Sequence, residues 1–301
     1  MSWKTSLRHW MQIARAQYLV LCVVLSLIGN GVAWLEQSFQ WSTALLSLFG
    51  LLCAHISVNV INDYFDHRSG IDQQTNRSPF NGGSGSIQDS IISPKTTLWV
   101  GLSFLFLALV VGVYFFLSIP QGWQLIPLVV VAGFLVILYS PLLLKLVGGE
   151  WSAGIGLGAL PVIGTYFVQT GHYSLLIFLA SIPSAILVHN LLFINEFPDV
   201  EADRIGKRKT FPIVYGIPRS IQFYKITLVL LYLYILENVL LGFFPIYCLL
   251  ALLTIPMSMQ TTKKLQLPTN QYQHMMQLNV GIVLLTQFLL GLGFILGGFF
   301  L

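Results

Sequence analysis

The chain is 301 residues long, 55% hydrophobic and only 9% charged, against roughly a quarter charged in an ordinary soluble domain. Fifteen Lys and Arg against eleven Asp and Glu leave a net charge of +4, spread over several loops and not drawn into one basic stripe, which excludes a soluble enzyme, a nucleic-acid binder and a disordered chain. What remains is a membrane protein, since at about 20 apolar residues per transmembrane helix a chain of this length supplies roughly eight to ten spans.

In chain order, the opening MSWKTSLRHWMQIARAQ carries Lys4, Arg8 and Arg15 ahead of an apolar run. It has the charge of a signal peptide but no small-residue cleavage site followed by a soluble domain, and reads as the cytoplasmic lead-in to a first helix. Apolar stretches then predict helices near 16–35, 41–62, 97–118, 124–143, 150–169, 174–196, 220–241, 244–260 and 278–300. With the N-terminus inside, segments 1–15, 63–96, 144–149, 197–219 and 261–277 are cytoplasmic. All 15 Lys and Arg then fall on that side or at a cytoplasmic helix end, and the opposite loops around Glu36, Ser118, Gly171 and Asn238 hold none. Such a bias supports both the count and the orientation, because a miscounted helix would invert every later loop. Cys22, Cys53 and Cys248 lie in apolar runs without metal-ligand spacing and read as small core residues. The expectation is one all-α transmembrane domain over 1–301, in a bacterial or archaeal plasma membrane, with two long cytoplasmic loops at about 63–96 and 197–219 capping a cavity.

Loops of that length in a compact bundle are usually functional. The first holds Asn81-Gly82-Gly83-Ser84-Gly85-Ser86, which suits either a backbone nest for an anion or a mobile lid, and no P-loop pattern is present. A weak repeat links the two loops: Asn62-Asp63-Tyr64-Phe65-Asp66 and Asn195-Glu196-Phe197-Pro198-Asp199 share Asn, acid, aromatic, any residue, Asp. Each follows an even-numbered helix, which suggests two four-helix halves plus a ninth helix, with two acidic mouths facing one cavity. Pro198 is expected to end or kink the sixth helix.

His55, Asn59, Asn62, Asp63 and Asp66 step by 3 and 4 along one helical face, as do Glu196, Asp199 and Asp203. With Asp72 after Gly70, six carboxylates gather in the two loops. Their mutual repulsion needs a compensating charge, and Mg²⁺, a hard cation that shares oxygen ligands with phosphates, is the natural one. Arg15, Arg77, Lys145 and Lys207 to Lys209 lie in the same region and suit a diphosphate, with Arg15 the strongest because it sits one turn into an apolar pattern. His55 and His189 read chiefly as hydrogen-bonded interhelical residues. A transporter is the competing class, but it favours acids near the midplane of broken helices, and these lie at cytoplasmic helix ends.

NDYFDHRSGID, PDVEAD with GKRKT, YSPLLLK at 139–145 and GALPVIGTYFVQTG at 158–171 together resemble the UbiA superfamily of intramembrane prenyltransferases over nearly the whole chain. The resemblance implies Mg²⁺-dependent transfer of a prenyl group from an allylic polyprenyl diphosphate to an aromatic acceptor in quinone biosynthesis. Gly70 stands where the 4-hydroxybenzoate branch commonly has its last Asp, and N-D-Y-x-D-x-x-x-G-x-D looks more like the 1,4-dihydroxy-2-naphthoate branch that leads to menaquinone. Other acceptors and a terpene cyclase share the pattern. Carried over, the metal ligands are Asp63, Asp66, Asp72, Asp199 and Asp203, holding two Mg²⁺ ions that bridge the diphosphate. Asn59, Asn62, Asn195, Arg15, Arg77, Lys145 and Lys207 would bind the diphosphate, with Tyr139 near the reacting carbon. The partners implied are the two substrates and the lipid bilayer, with no nucleic acid and no obligate protein partner.

Overall fold

The computed structural model describes residues 9–69, 84–139, 148–205, 208–265 and 272–300. Among these the regular structure is entirely helical, because in a hydrocarbon medium a single-chain segment can satisfy its own backbone only as a helix. After a short helical stretch at 9–13 and a 3-10 turn, Ala16–Tyr18, come α1 (Leu19–Leu35), α2 (Trp41–Ser69), α3 (Pro94–Ser118), α4 (Leu125–Tyr139) and α5 (Glu150–Thr170). Then follow α6 (Leu175–Ile205), the single turn α7 (Phe211–Tyr215), α8 (Ile217–Leu240), a 3-10 helix Ile246–Thr254 running into α9 (Ile255–Lys264), and α10 (Tyr272–Phe299).

Among the described residues seven helical stretches are long and apolar enough to cross a membrane, and they coincide with seven of the stretches expected from sequence. The expected helix near 124–143 falls on the 3-10 turn Gly122–Gln124 and α4, the described residues there ending at Tyr139, and the one near 244–260 is divided between the 3-10 helix and α9. Large apolar side chains such as Trp99, Phe106, Val129 and Leu233 are exposed on the outside of the bundle, as a lipid-facing surface requires.

Helix α1 is the central post. It packs against α2, α5, α6 and α10, while α3 pairs with α2 and α8 with α6. The approach of α5 to α6 depends on two glycines, since a Cβ on Gly154 would stand 2.5 Å from the Ala185 carbonyl oxygen and one on Gly158 2.5 Å from that of Ser184. Small residues spaced by four let membrane helices come this close. A π-helical stretch, Gly154–Ala159, occupies the same place. At one end of the bundle the chain is bolted together by polar contacts: Tyr166 donates its hydroxyl to Glu36, Ser174 Oγ donates to the same carboxylate at 3.2 Å, and Gln169 clamps Gln40 and Asn30. The two motif regions lie at the opposite helix ends.

Three expectations need correcting. Helix α2 does not stop near 62 but continues to Ser69, so the helical face expected to carry Asp63 and Asp66 lies within the helix and not at its last turn. Helix α6 passes through Pro198 to Ile205; proline removes one hydrogen bond, but its ring is on the exposed side while Phe197 beside it is buried, so packing holds the helix together. Much of the segment 197–219 is therefore helical too. Finally, Arg15 is not one turn inside a helix: it sits in the left-handed conformation, φ 49° and ψ 53°, at the break before Ala16–Tyr18. A side chain in that region is strained by about 1–2 kcal/mol.

Candidate active site

Asp63 is 1% exposed at the end of α2. Ser84 grips it from the segment leading to α3, donating its backbone N–H to Oδ1 at 3.0 Å and its hydroxyl to Oδ2 at 2.7 Å. One turn earlier, Asn59 donates from Nδ2 to the Ala14 carbonyl at 3.1 Å, which ties α2 to the break that carries Arg15. The Arg15 charge acts on His55 of α2 and on Tyr18. Tyr18 is hydrogen-bonded to Asn195 of α6. The break at residue 15 thus touches both motif helices, and α1 packs against each of them.

The acids of α6 divide between two neighbourhoods. His189, Glu196 and Asp203 are seven apart and share a face. Asp203 is buried and accepts from Arg208 Nη1 at 2.9 Å; burial pushes its carboxyl above the usual range, the Arg208 guanidinium pulls it back in part, and Glu150 adds to the rise. Glu150 at the start of α5 is 2% exposed and accepts the Phe211 N–H at Oε1, 3.1 Å away. Glu196 of α6 feels the Glu150 carboxylate as a like charge, and the Oε2 atoms of both find no donor among the described residues. His189 lies flat on Trp151, ring centroids 4.1 Å apart, and its Nδ1 is 3.1 Å from Asn190 Oδ1.

Of the remaining expected residues, Asn62 and Asp199 are half-buried on α2 and α6. Asp66 and Tyr139 are on α2 and α4, but their side chains, and all of Asp72, Arg77, Lys145 and Lys207, lie outside the described residues. Among the described residues no three His, Cys, Asp or Glu side chains form a group that could hold a metal ion. The donors at the two motif ends are nonetheless all hard oxygens, from Asp63 and Asp199 and the amides of Asn59, Asn62 and Asn195, and fit Mg²⁺, which takes one or two protein carboxylates and completes its shell from phosphate and water.

A profile of the UbiA prenyltransferase family matches residues 19–281. The chain belongs to that family. It is a multi-pass integral membrane prenyltransferase. Among curated relatives, the 1,4-dihydroxy-2-naphthoate octaprenyltransferase of Bacillus subtilis is 29% identical over 259 residues, 84% of this chain and 80% of that protein. The enzyme of the same name from Haemophilus influenzae is 28% identical over 70% of each chain. Among solved structures, a UbiA homologue of Aeropyrum pernix superposes with a TM-score of 0.69 at 15% identity, covering 93% of this chain and 98% of that one. A homologue of Archaeoglobus fulgidus bound to GPP and Mg²⁺ superposes with a TM-score of 0.66 at 13% identity, covering 94% and 99%. These two establish the fold.

Sequence reasoning missed Glu150 and the role of Ser84, and it gave Arg208, within Lys207 to Lys209, to a diphosphate where the structure pairs it with Asp203. An acid opening an apolar helix was a visible signal for Glu150, and the seven-residue spacing of His189, Glu196 and Asp203 was another. Nothing local pairs residue 150 with residue 196, or 84 with 63.

Proposed function

We propose that the protein transfers a polyprenyl group from an allylic diphosphate to an aromatic acceptor of the 1,4-dihydroxy-2-naphthoate kind, with Mg²⁺, in quinone biosynthesis. The observation that carries the reading is the pair of naphthoate prenyltransferases that this chain matches over most of its length, together with the Asn and acid clusters on two helices that flank one post. The bound GPP and Mg²⁺ of the Archaeoglobus fulgidus homologue support the donor and the ion.

The C–O bond of the allylic diphosphate breaks and its electron pair leaves with the diphosphate. A ring carbon of the acceptor attacks the resulting cation, a C–C bond forms, and that carbon loses its proton to restore aromaticity. Asp63, Asp66, Asp72, Asp199 and Asp203 would hold two Mg²⁺ ions, which supply charge stabilisation to the leaving group. Arg15, Asn59, Asn62, Arg77, Lys145, Asn195 and Lys207 bind the diphosphate, with the Arg15 fork on its oxygens. Tyr139 would act near the reacting carbon. The apolar interior takes the prenyl chain and keeps water from the cation. Nine spans with a cytoplasmic N-terminus, in two four-helix halves plus a ninth helix, place both motif ends and their cap on the cytoplasmic side of a plasma membrane.

The test is incubation of detergent-purified protein with Mg²⁺, labelled geranylgeranyl or longer diphosphate, and a panel containing 1,4-dihydroxy-2-naphthoate and 4-hydroxybenzoate, with mass analysis. A prenylated naphthol product, lost with EDTA and restored by Mg²⁺, is expected. Prenylation of hydroxybenzoate alone, or full activity after chelation, refutes the reading.

A further inference from the structure

The Gly/Ser run at 81–86 has no part in the chemistry above, yet its described end makes specific contacts. Ser84 donates twice to Asp63, once to each carboxylate oxygen. Ser84 Oγ also accepts the Ser86 N–H at 3.1 Å, which leaves the hydroxyl proton free to point at Asp63. That back-contact needs the turn at Gly85, whose φ of +72° favours glycine. Ser86 fixes the turn from the other side: its carbonyl accepts the N–H groups of Ile91 and Ile92 at 3.0 and 3.1 Å, and its hydroxyl lies 3.3 Å from His9 Nδ1. Ser93 Oγ then caps α3 by accepting the Thr96 N–H.

We propose that Ser84 is a positioning residue that sets the orientation of the Asp63 carboxylate for cation binding. The inference rests on the reading of Asp63 given under Proposed function. A carboxylate turns easily about its last bond. Two donors on its two oxygens fix its plane, and each oxygen keeps a further lone pair for a cation. Groups that orient a ligating carboxylate in this way typically change metal affinity by about 10–100-fold when removed.

The test uses the full chain in detergent with Mn²⁺ as the probe, following loss of the free Mn²⁺ EPR signal in the presence of geranyl S-thiolodiphosphate, an unreactive donor analogue. Ser84→Ala should weaken Mn²⁺ binding about 10–100-fold. It should raise the Mg²⁺ needed for half-maximal turnover in proportion, with kcat regained at saturating Mg²⁺ and the acceptor KM unmoved. Ser84→Thr, which keeps the hydroxyl, should restore binding. Ser84→Cys, close in size but a weak donor, should follow alanine and carries the test if the alanine protein does not accumulate. Native Mn²⁺ binding in both the Ala and Cys variants, or equal losses in Ala and Thr, overturns the proposal. Asp63→Asn separates the two claims: if it binds Mn²⁺ and turns over like the native protein, the reading of Asp63 fails. If it is inactive while Ser84→Ala binds Mn²⁺ normally, only the role of Ser84 falls.

Discussion

Arg208→Ala should destabilise the C-terminal end of α6 through what it leaves behind. Among the described residues Arg208 is the cation in contact with Asp203, at 2.9 Å, and Asp203 and Glu196 both feel Glu150 as a like charge. A hydrogen bond to a charged group contributes about 1.5–3 kcal/mol, and removing one partner of a fully buried pair costs about 3–5 kcal/mol. The Arg208 side chain is 24% exposed against 6% for Asp203, so water offsets part of the loss and about 2–3 kcal/mol is expected. The assay is thermal unfolding of purified protein in detergent with EDTA present, so that no bound cation can stand in for the guanidinium. Arg208→Lys should recover part of the loss, because it restores the charge without the fixed fork. Asp203→Asn placed in the Arg208→Ala background should recover most of it, since the uncompensated charge is gone. A double-mutant cycle with coupling below about 0.5 kcal/mol, the spread seen for independent sites, would refute the argument and make Arg208 a topological charge.

Gly158→Ala should cost about 1–3 kcal/mol by overpacking, because its Cβ would meet the Ser184 carbonyl oxygen at 2.5 Å; folded yield in detergent should fall, whereas Gly133→Ala, with nothing within 4 Å of its Cβ, should match the native protein. Arg15→Lys should raise the KM for the prenyl diphosphate and leave that of the acceptor unchanged. Arg15→Gly, which relieves the left-handed backbone, should raise that KM further without loss of thermal stability, and a native donor KM would remove Arg15 from the site. Cys22, Cys53 and Cys248 are buried, so single cysteines at the exposed positions Lys263 and Gln37 report topology: impermeant reagents should reach Lys263→Cys from the cytoplasm alone and Gln37→Cys from outside alone.

Membrane residence, the helical class and the places of the apolar helices follow from composition and run length, because a hydrocarbon solvent leaves a chain little choice beyond covering its backbone and facing apolar side chains outward. The Asn and acid stripe of α2 was legible for a similar reason, since steps of 3 and 4 define a helical face wherever the helix goes. Helix ends were less legible. Asp63 and Asp66 are polar enough to look like loop, and Pro198 looks like a stop, yet both helices run on because their neighbours hold them. Arg15 has the same lesson: its apolar surroundings suggest a helix, yet it stands in a left-handed break next to the Ala14 carbonyl that Asn59 holds, 45 residues away in sequence. Only the tertiary structure could give Asp63 its serine clamp, bring Glu150 against Glu196, or assign Arg208 to Asp203. The first two join separate segments, and the third depends on how the chain turns after Ile205. Periodicity records which face a side chain occupies, whereas the identity of what lies opposite is decided when the helices pack.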